Sequence, residues 1–379
     1  MKFTVKRAAF IKKLNDVQRA ISSKTTIPIL TGLKLDVESD QIILTGSDAD
    51  ISIETVLDAK NEDNGLSITD PGKIVLPAHF FSDIVKRLPE DSMTVEITEG
   101  FQTEISSGAA EFTINGLDAN NYPHLPELDG NDQIQLSGNV FKQLISQTVL
   151  AVSTQESRPI LTGVHFSIDG DQFLAVATDS HRLSQRQIKL PEGNTGKYDV
   201  IIPGKSLVEL SRMIGEENPD VITRISENQV LFTLGDTAFY SRLLEGNYPD
   251  TSRLIPKEST TTLEFNAPAL LAAIERASLL SHESRNNVVK LAITTADKKI
   301  VISGNSPDVG NVEEQLDAKV VEGEDLEISF NPDYMKDALR SFGQTEIQVS
   351  FTSALRPFTL VPTEDQENFI QLITPVRTF

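Results

Sequence analysis

Gly204-Lys205-Ser206 has the ending of a phosphate-binding loop, in which backbone N–H groups cradle a polyphosphate and the lysine neutralises it. That loop requires a further glycine five positions before Gly204, where Asp199 stands, so the motif fails. G-x-G-x-x-G, G-x-S-x-G and H-E-x-x-H do not occur, and the five histidines (His79, His124, His165, His181, His282) lie too far apart for a local metal pair. The chain has no cysteine, which excludes disulfides, thiolate chemistry, iron–sulfur clusters and Cys-ligated zinc. Asp48 with Asp50 suggests a metal pair, and Asp179 with His181 part of a catalytic relay. A turn is the better reading of both. Asp48, Asp179 and Asn305 are expected at the same place in three related segments, between two strands, where Asp and Asn bond their own backbone. The 55 acidic residues show no spacing that singles out an acid and base pair of the sort hydrolases need. No active site emerges, and no catalytic residue, metal or cofactor is assigned.

The charge balance narrows the classes further. Lys and Arg number 34 against 55 Asp and Glu, a net charge of −21, which opposes indiscriminate binding to nucleic acid or anionic membrane but leaves a local basic patch open. With 39% hydrophobic and 23% charged residues, the composition is that of a globular protein. No apolar core region follows the basic residues of the N-terminus, and no run approaches the roughly 18 apolar residues of a spanning helix, so a cytoplasmic location is expected.

Internal repetition sets the elements that position any site. Pro28-Ile29-Leu30-Thr31-Gly32 recurs 131 positions on as Pro159-Ile160-Leu161-Thr162-Gly163, and Asn121-Tyr122-Pro123 recurs 126 positions on as Asn247-Tyr248-Pro249. Ile74-Val75-Leu76-Pro77, Val200-Ile201-Ile202-Pro203 and Ile328-Ser329-Phe330-Asn331-Pro332 hold equivalent places before amphipathic runs, so a third, drifted copy completes the chain. Phe10, Ile11, Leu14, Val17 and Ile21 give a 3.6-residue period that opens the first repeat, with counterparts over 140–152 and 270–280. A second helix falls mid-repeat, over 79–88, 205–214 and 332–342. Alternation over 33–37, 41–44 and 51–56, and again over 94–98, 102–106 and 111–114, marks hairpin-linked strands. The expected fold is therefore α+β, with three similar domains (1–128, 129–256 and 257–379), each a duplicated β-α-β-β-β unit.

The six expected helices, over 7–22, 77–88, 138–153, 203–214, 267–282 and 332–342, carry twelve Lys and Arg against six Asp and Glu. Their net +6 leaves −27 on the rest of the chain. An ordinary solvent face explains basic residues on any one helix. If equivalent helices share one side of a curved sheet, however, Lys12, Lys13, Arg19, Lys86, Arg87, Lys142, Lys205, Arg212, Arg276, Lys336 and Arg340 line one surface, which attracts phosphates without reading bases.

Lys2-Phe3-Thr4-Val5 before an amphipathic helix, Pro28-Ile29-Leu30, Ala177-Thr178-Asp179-Ser180-His181-Arg182-Leu183, Asn247-Tyr248-Pro249 and Thr374-Pro375-Val376-Arg377 form a recognisable set. Over its whole length the chain resembles the bacterial sliding clamps, the beta subunits of DNA polymerase III. The resemblance implies a head-to-tail homodimer that closes a ring of six similar domains, helices inward, around double-stranded DNA. It implies as partners replicative and other DNA polymerases, a clamp loader and repair factors, while the residues themselves give no reason to expect an enzyme or ATP use by this chain. Positions matching DNA contacts outside the helices are Lys24, Gln155 and Arg158, with Lys24 keeping the charge but losing the planar fork of an arginine.

The same resemblance implies an apolar cleft between the second and third domains that receives a short linear motif. Matching positions are Leu161, Thr178, Ser180, His181, Arg182, Leu183, Pro249, Arg253, Leu254, Pro357, Leu372, Ile373, Thr374, Pro375, Val376 and Arg377. The apolar members form walls, whereas His181, Arg182, Arg253 and Arg377 orient the peptide; ordinary core is the competing reading for the apolar ones. Ser180 replaces a glycine common in relatives, and Thr374 and Val376 replace methionines, which changes pocket depth. Ring closure is expected to use Phe112 and Ile114 on one side and Leu279 and Leu280 on the other. On the residues themselves, a protein-only adaptor and a hydrolase with unrecognised carboxylates stay open.

Overall fold

The structure is a computed structural model that describes residues 1–125, 128, 133–192, 196–215, 220–282 and 287–378. The expected boundary between the first two domains, after residue 128, is followed by residues 129–132, which lie outside the described residues, as does Phe379.

The chain runs strand, helix, three strands six times. The first domain holds β1 (Lys2–Lys6), α1 (Arg7–Gln18), β2 (Gly32–Val37), β3 (Gln41–Ser47), β4 (Ile51–Asp58) and β5 (Ser67–Asp70). It continues with β6 (Gly72–Pro77), α2 (Ala78–Arg87), β7 (Ser92–Ile97), β8 (Gln102–Ser107) and β9 (Ala110–Asn115). The second begins with β10 (Ile134–Leu136), α3 (Gly138–Thr148), β11 (Gly163–Asp169), β12 (Gln172–Thr178) and β13 (Arg182–Lys189). It ends with β14 (Lys197–Pro203), α4 (Gly204–Met213), β15 (Val221–Ile225), β16 (Gln229–Leu234) and β17 (Thr237–Arg242). The third opens with β18 (Thr261–Asn266), α5 (Ala267–Ser281), β19 (Val289–Thr294), β20 (Lys299–Ser306), β21 (Gly310–Leu316) and β22 (Val320–Gly323). It closes with β23 (Leu326–Phe330), α6 (Pro332–Phe342), β24 (Glu346–Phe351), β25 (Phe358–Pro362) and β26 (Phe369–Ile373). The short strands β5 and β22 were not expected. They pair with β1 and β18, and β5 is too exposed to carry an alternating apolar signal.

Each repeat exchanges its first strands. β1 pairs with β7 of the following unit while β6 returns to β2, and the same exchange joins β10 to β15, β14 to β11, β18 to β24 and β23 to β19. By contacts the chain divides into two compact units, Met1–Asn139 with Glu209–Leu243, and Val140–Val208 with Leu244–Phe379. The first contains a five-stranded sheet, β5-β1-β7-β8-β9, and an eight-stranded one, β10-β15-β16-β17-β4-β3-β2-β6. The second contains a nine-stranded sheet, β14-β11-β12-β13-β26-β25-β24-β18-β22, and a four-stranded one, β21-β20-β19-β23.

Burial follows the periodicities. On α1, Phe10, Leu14 and Val17 are buried, and the Phe10 ring meets Phe81 of α2 edge-on at 5.8 Å. In the third domain Leu270, Ala273, Ile274 and Ala277 of α5 and Met335, Ala338 and Leu339 of α6 share one core with β18–β20 and β23–β26. Asn266 and Asn331 start these helices by accepting from Ala269 N and Asp333 N, and each is followed within two residues by a proline whose missing N–H costs nothing in the first turn. α5 approaches its sheet so closely that a Cβ on Gly304 would lie 2.3 Å from the Ala277 carbonyl oxygen. Gly304→Val is therefore expected to destabilise this domain by about 3 kcal/mol or more, because helix backbone and not a flexible side chain must move; urea unfolding with an unchanged midpoint would contradict it.

One expected equivalence fails. Asn305 lies inside β20, opposite Asn311 of β21, and not in a turn as Asp48 and Asp179 do. The strand runs on to Ser306 because Pro307 and Asp308 bring the turn chemistry later, ahead of Gly310 at φ 139°.

Candidate functional site

Asp179 is a turn clasp and not a relay. Its Oδ1 accepts from the backbone N–H groups of His181 (2.9 Å) and Arg182 (3.0 Å), and its Oδ2 accepts from Arg182 Nε at 3.0 Å. Asp48 does the same for Asp50 N (3.0 Å) and Ile51 N (2.8 Å). The His181 imidazole faces Tyr334 instead, stacked at 6.3 Å with 15° between planes. Among the described residues no group of three or more His, Asp or Glu is placed to hold a metal ion. Ser180 sits in the left-handed region at φ 80°, as Ala49 does in the first repeat, and its N–H bonds Thr178 Oγ1 at 3.1 Å. Glycine adopts this conformation freely; serine holds it here at a cost offset by the surrounding turn.

The expected cleft residues all fall in the second compact unit. β26 pairs antiparallel with β13, which sets Ile373 opposite Arg182 and Leu372 opposite Leu183. Leu183, Leu372 and Val176 form a buried apolar cluster, with Leu174, Tyr248 and Ile255 packed against it. Tyr248 accepts a hydrogen bond from Thr178 N at 3.0 Å, stacks on His165 at 4.9 Å, and has its hydroxyl pKa pushed up to about 12 by burial. Leu161 is buried in the 3-10 turn Pro159–Thr162, Pro357 is partly buried, and Pro249, Arg253 and the half-exposed Leu254 are open to solvent. Beyond β26 the chain is tied down twice. Thr374 N donates to His181 O at 2.9 Å and Val376 N to Ser329 O at 2.8 Å, which places Val376 and Arg377 beside Ser329 and Leu355 along a cavity of about 380 Å³.

Arg182 is already occupied. Its guanidinium donates to Asp179 and, at 2.7 Å, to Asp337, and lies 4.7 Å over the Tyr334 ring, with only 14% of the side chain exposed. That arrangement makes it a clamp between β13 and α6. Arg253 keeps 89% of its side chain exposed, beside Asp250 at 3.5 Å. Leu174, Val176, Tyr248 and Ile255 join the expected cleft residues in this cluster without being expected there; Tyr248 lies within a recurring motif, and Leu174 and Val176 alternate along β12, so a signal for them is present in the residues.

The expected DNA-facing cations are mostly solvent-exposed and often ion-paired. Lys12, Lys24, Lys86, Lys142, Gln155 and Lys205 are exposed, with Lys86 donating to Gln18 at 3.2 Å. Glu209 lies between Arg212 (2.5 Å) and Arg19 (3.5 Å), and Arg87 meets Asp83 at 3.7 Å. Arg276 pairs with Glu314 and holds its carboxyl below the usual range through their hydrogen bond. Arg340 pairs with Glu275 at 3.0 Å, and Arg158 donates to Ser180 at 3.2 Å. Lys13 beside Asp236 and Lys336 beside Asp333 are each only 12% exposed, which leaves them the least accessible of the set. Asp16 stands among Lys12, Lys13 and Arg19, yet burial raises its pKa despite those charges.

The expected closure residues lie at sheet ends. Phe112 (42% exposed) and Ile114 are on β9, the last strand of the five-stranded sheet. Leu279 (69% exposed) and Leu280 end α5, which packs on β20 and β21, and β21 is the last strand of the four-stranded sheet.

Three domains, each a duplicated β-α-β-β-β unit with exchanged first strands, define the class as DNA clamps. The chain matches the N-terminal, central and C-terminal domains of the DNA polymerase III beta subunit over residues 1–126, 135–250 and 252–377. It is 50% identical to the beta sliding clamp of Bacillus subtilis and 46% identical to that of Staphylococcus epidermidis, covering 100% of each chain. The crystal structure of the Bacillus subtilis sliding clamp superposes with a TM-score of 0.97 at 49% identity, and that of the DNA polymerase III beta chain of Streptococcus pneumoniae with 0.96 at 46%, again over 100% of both chains. This chain belongs to the beta sliding clamp family of DNA polymerase III.

Proposed function

We propose that two copies of this chain close head to tail into a ring that encircles double-stranded DNA, slides without reading sequence and tethers polymerases, and that it acts as a processivity factor and not as an enzyme. The observation that carries ring closure is the pair of open edges. Among the described residues β9 and β21 each end their sheet, close to exposed Phe112 and Leu279, an arrangement prone to pair with another strand. Joining a five-stranded sheet of one copy to a four-stranded sheet of the next gives nine strands, the size of the largest sheet within a chain. Such a contact is heterologous and closes after two copies.

In that ring the helix cations named above, with Lys24, Gln155 and Arg158, face phosphates. Exposed ion pairs are worth little, so Arg19, Arg212, Arg276 and Arg340 exchange a carboxylate for a phosphate at small cost. The cleft around Leu161, Leu183 and Leu372 receives a linear motif from replicative and other polymerases, the clamp loader and repair factors, one at a time. No helix among the described residues is long and apolar enough to cross a membrane, and we place the working protein in the cytoplasm, with the DNA.

Loading the protein on a circular plasmid and then cutting the plasmid tests the reading. Retention on circles and release from linear ends is expected, because the link is topological. A protein-only adaptor gives no retention on circles, and a hydrolase loses an activity when one Asp or Glu is replaced.

A further inference from the structure

The first compact unit contains a cavity of about 240 Å³ whose apolar lining is Ile27, Leu30, Ala49, Pro123 and Leu125. Its walls repeat the expected peptide cleft residue by residue. Leu30, Ser47, Asp50 and Ser52 stand 131 positions before Leu161, Thr178, His181 and Leu183, and Pro123 stands 126 before Pro249. Sheet register extends the correspondence where sequence similarity has ended. Tyr240 lies opposite Ser52 as Leu372 lies opposite Leu183, and Val230 lies opposite Ser241 as Phe358 lies opposite Ile373, so Gln229 takes the place of Pro357. The backbone agrees: Arg242 N donates to Asp50 O at 3.0 Å, as Thr374 N donates to His181 O at 2.9 Å.

What differs is polarity. Leu183, Leu372 and Thr374 become Ser52, Tyr240 and Arg242, so a wall with two leucines in the cleft carries two hydroxyls and a guanidinium here. Arg242 is exposed, and among the described residues its guanidinium has no ion pair or hydrogen bond. Asp50 also lines the cavity, which disfavours a polyacidic ligand and leaves room for one carboxylate. The volume is below the roughly 300–1,000 Å³ of ordinary ligand pockets, enough for one or two side chains of an extended segment.

We propose that this cavity is a second peptide-binding site, taking a short extended segment that carries an aliphatic side chain next to one acidic residue. The proposal rests on the reading that the Leu161–Leu372 cleft binds linear motifs, since it argues from equivalence to that cleft. The leucine or similar side chain enters beside Ile27, Pro123 and Leu125, over the buried Leu30, and the carboxylate meets Arg242, with Gln229 and Tyr240 available to the peptide backbone.

The test titrates acetyl-Leu-Leu-Asp-amide into the full chain labelled at Ile and Leu methyl groups, and reads each site through its own residues. Saturable shifts at Ile27, Leu30 and Leu125 are expected. Arg242→Ala, or Asn in place of Asp in the probe, is expected to weaken that binding about tenfold, with no further loss when both are combined. Shifts confined to Leu161, Leu183 and Leu372, or shifts at Leu30 that never saturate, would overturn the second site while leaving the cleft reading intact. Saturable shifts at Leu30 that Arg242→Ala leaves unchanged would overturn the carboxylate assignment. A polymerase-derived peptide that fails to move Leu161, Leu183 and Leu372 would instead remove the cleft reading itself.

Discussion

Removing residues 374–379 is expected to abolish binding of a polymerase-derived peptide and to leave the proposed dimer intact. The deletion takes away Pro375, Val376 and Arg377 together with both backbone ties, Thr374 N to His181 O and Val376 N to Ser329 O. It spares β26, whose pairing with β13 holds Leu372 against Leu183 and Val176, so the apolar cluster stays buried and the sheet keeps its nine strands. It also spares β9 and β21, the strands assigned to ring closure. A loss of about 100-fold or more, near 2.7 kcal/mol, is expected, because several wall and anchor residues of one small site go at once. Fluorescence anisotropy with a labelled peptide measures it, and sedimentation reports the dimer in the same sample. A titration matching the intact chain would show that the cleft lies elsewhere.

Leu279→Ala with Leu280→Ala is expected to shift the proposed dimer to monomer. Leu279 is 69% exposed at the end of α5, an apolar residue whose burial a monomer does not supply, and Leu280 beside it is half-buried. In the proposed ring, burying each against Phe112 and Ile114 of the next copy would stabilise a contact by about 1–2 kcal/mol, so the double change is expected to weaken each contact by roughly 30- to 1,000-fold. The fold itself is expected to survive, since Ala273, Ile274 and Ala277 carry the buried face of that helix. A mass measurement still showing dimer at low micromolar concentration would contradict the assignment of this edge. Because a ring must be closed to stay on a circle, the same variant should also lose retention on uncut plasmid.

Much of the architecture was legible in the residues. The 131-residue and 126-residue recurrences announced three copies, and the 3.6-residue and two-residue periods marked a strand, a helix and three strands twice in each. Asp179 and Asp48 were readable as turn residues because the bonds they make are to backbone two and three positions away. Asn305 misled because the same residue type sits in a strand when proline and glycine supply the turn further on.

Only the tertiary structure decided who pairs with whom. The exchange of β1 and β6 and the meeting of β13 with β26 join residues from 35 to nearly 200 positions apart through backbone N–H and C=O groups that every strand shares, and Tyr248 is brought against the Val176–Leu372 cluster by packing over similar distances. The availability of a charge was hidden for the same reason. Nothing local distinguishes Arg182, held by Asp179, Asp337 and Tyr334, from Arg253, which stands in solvent, because what saturates a guanidinium is brought to it by distant elements. Local periodicity is written in side chains, whereas register and partnership are settled by the packing of whole faces.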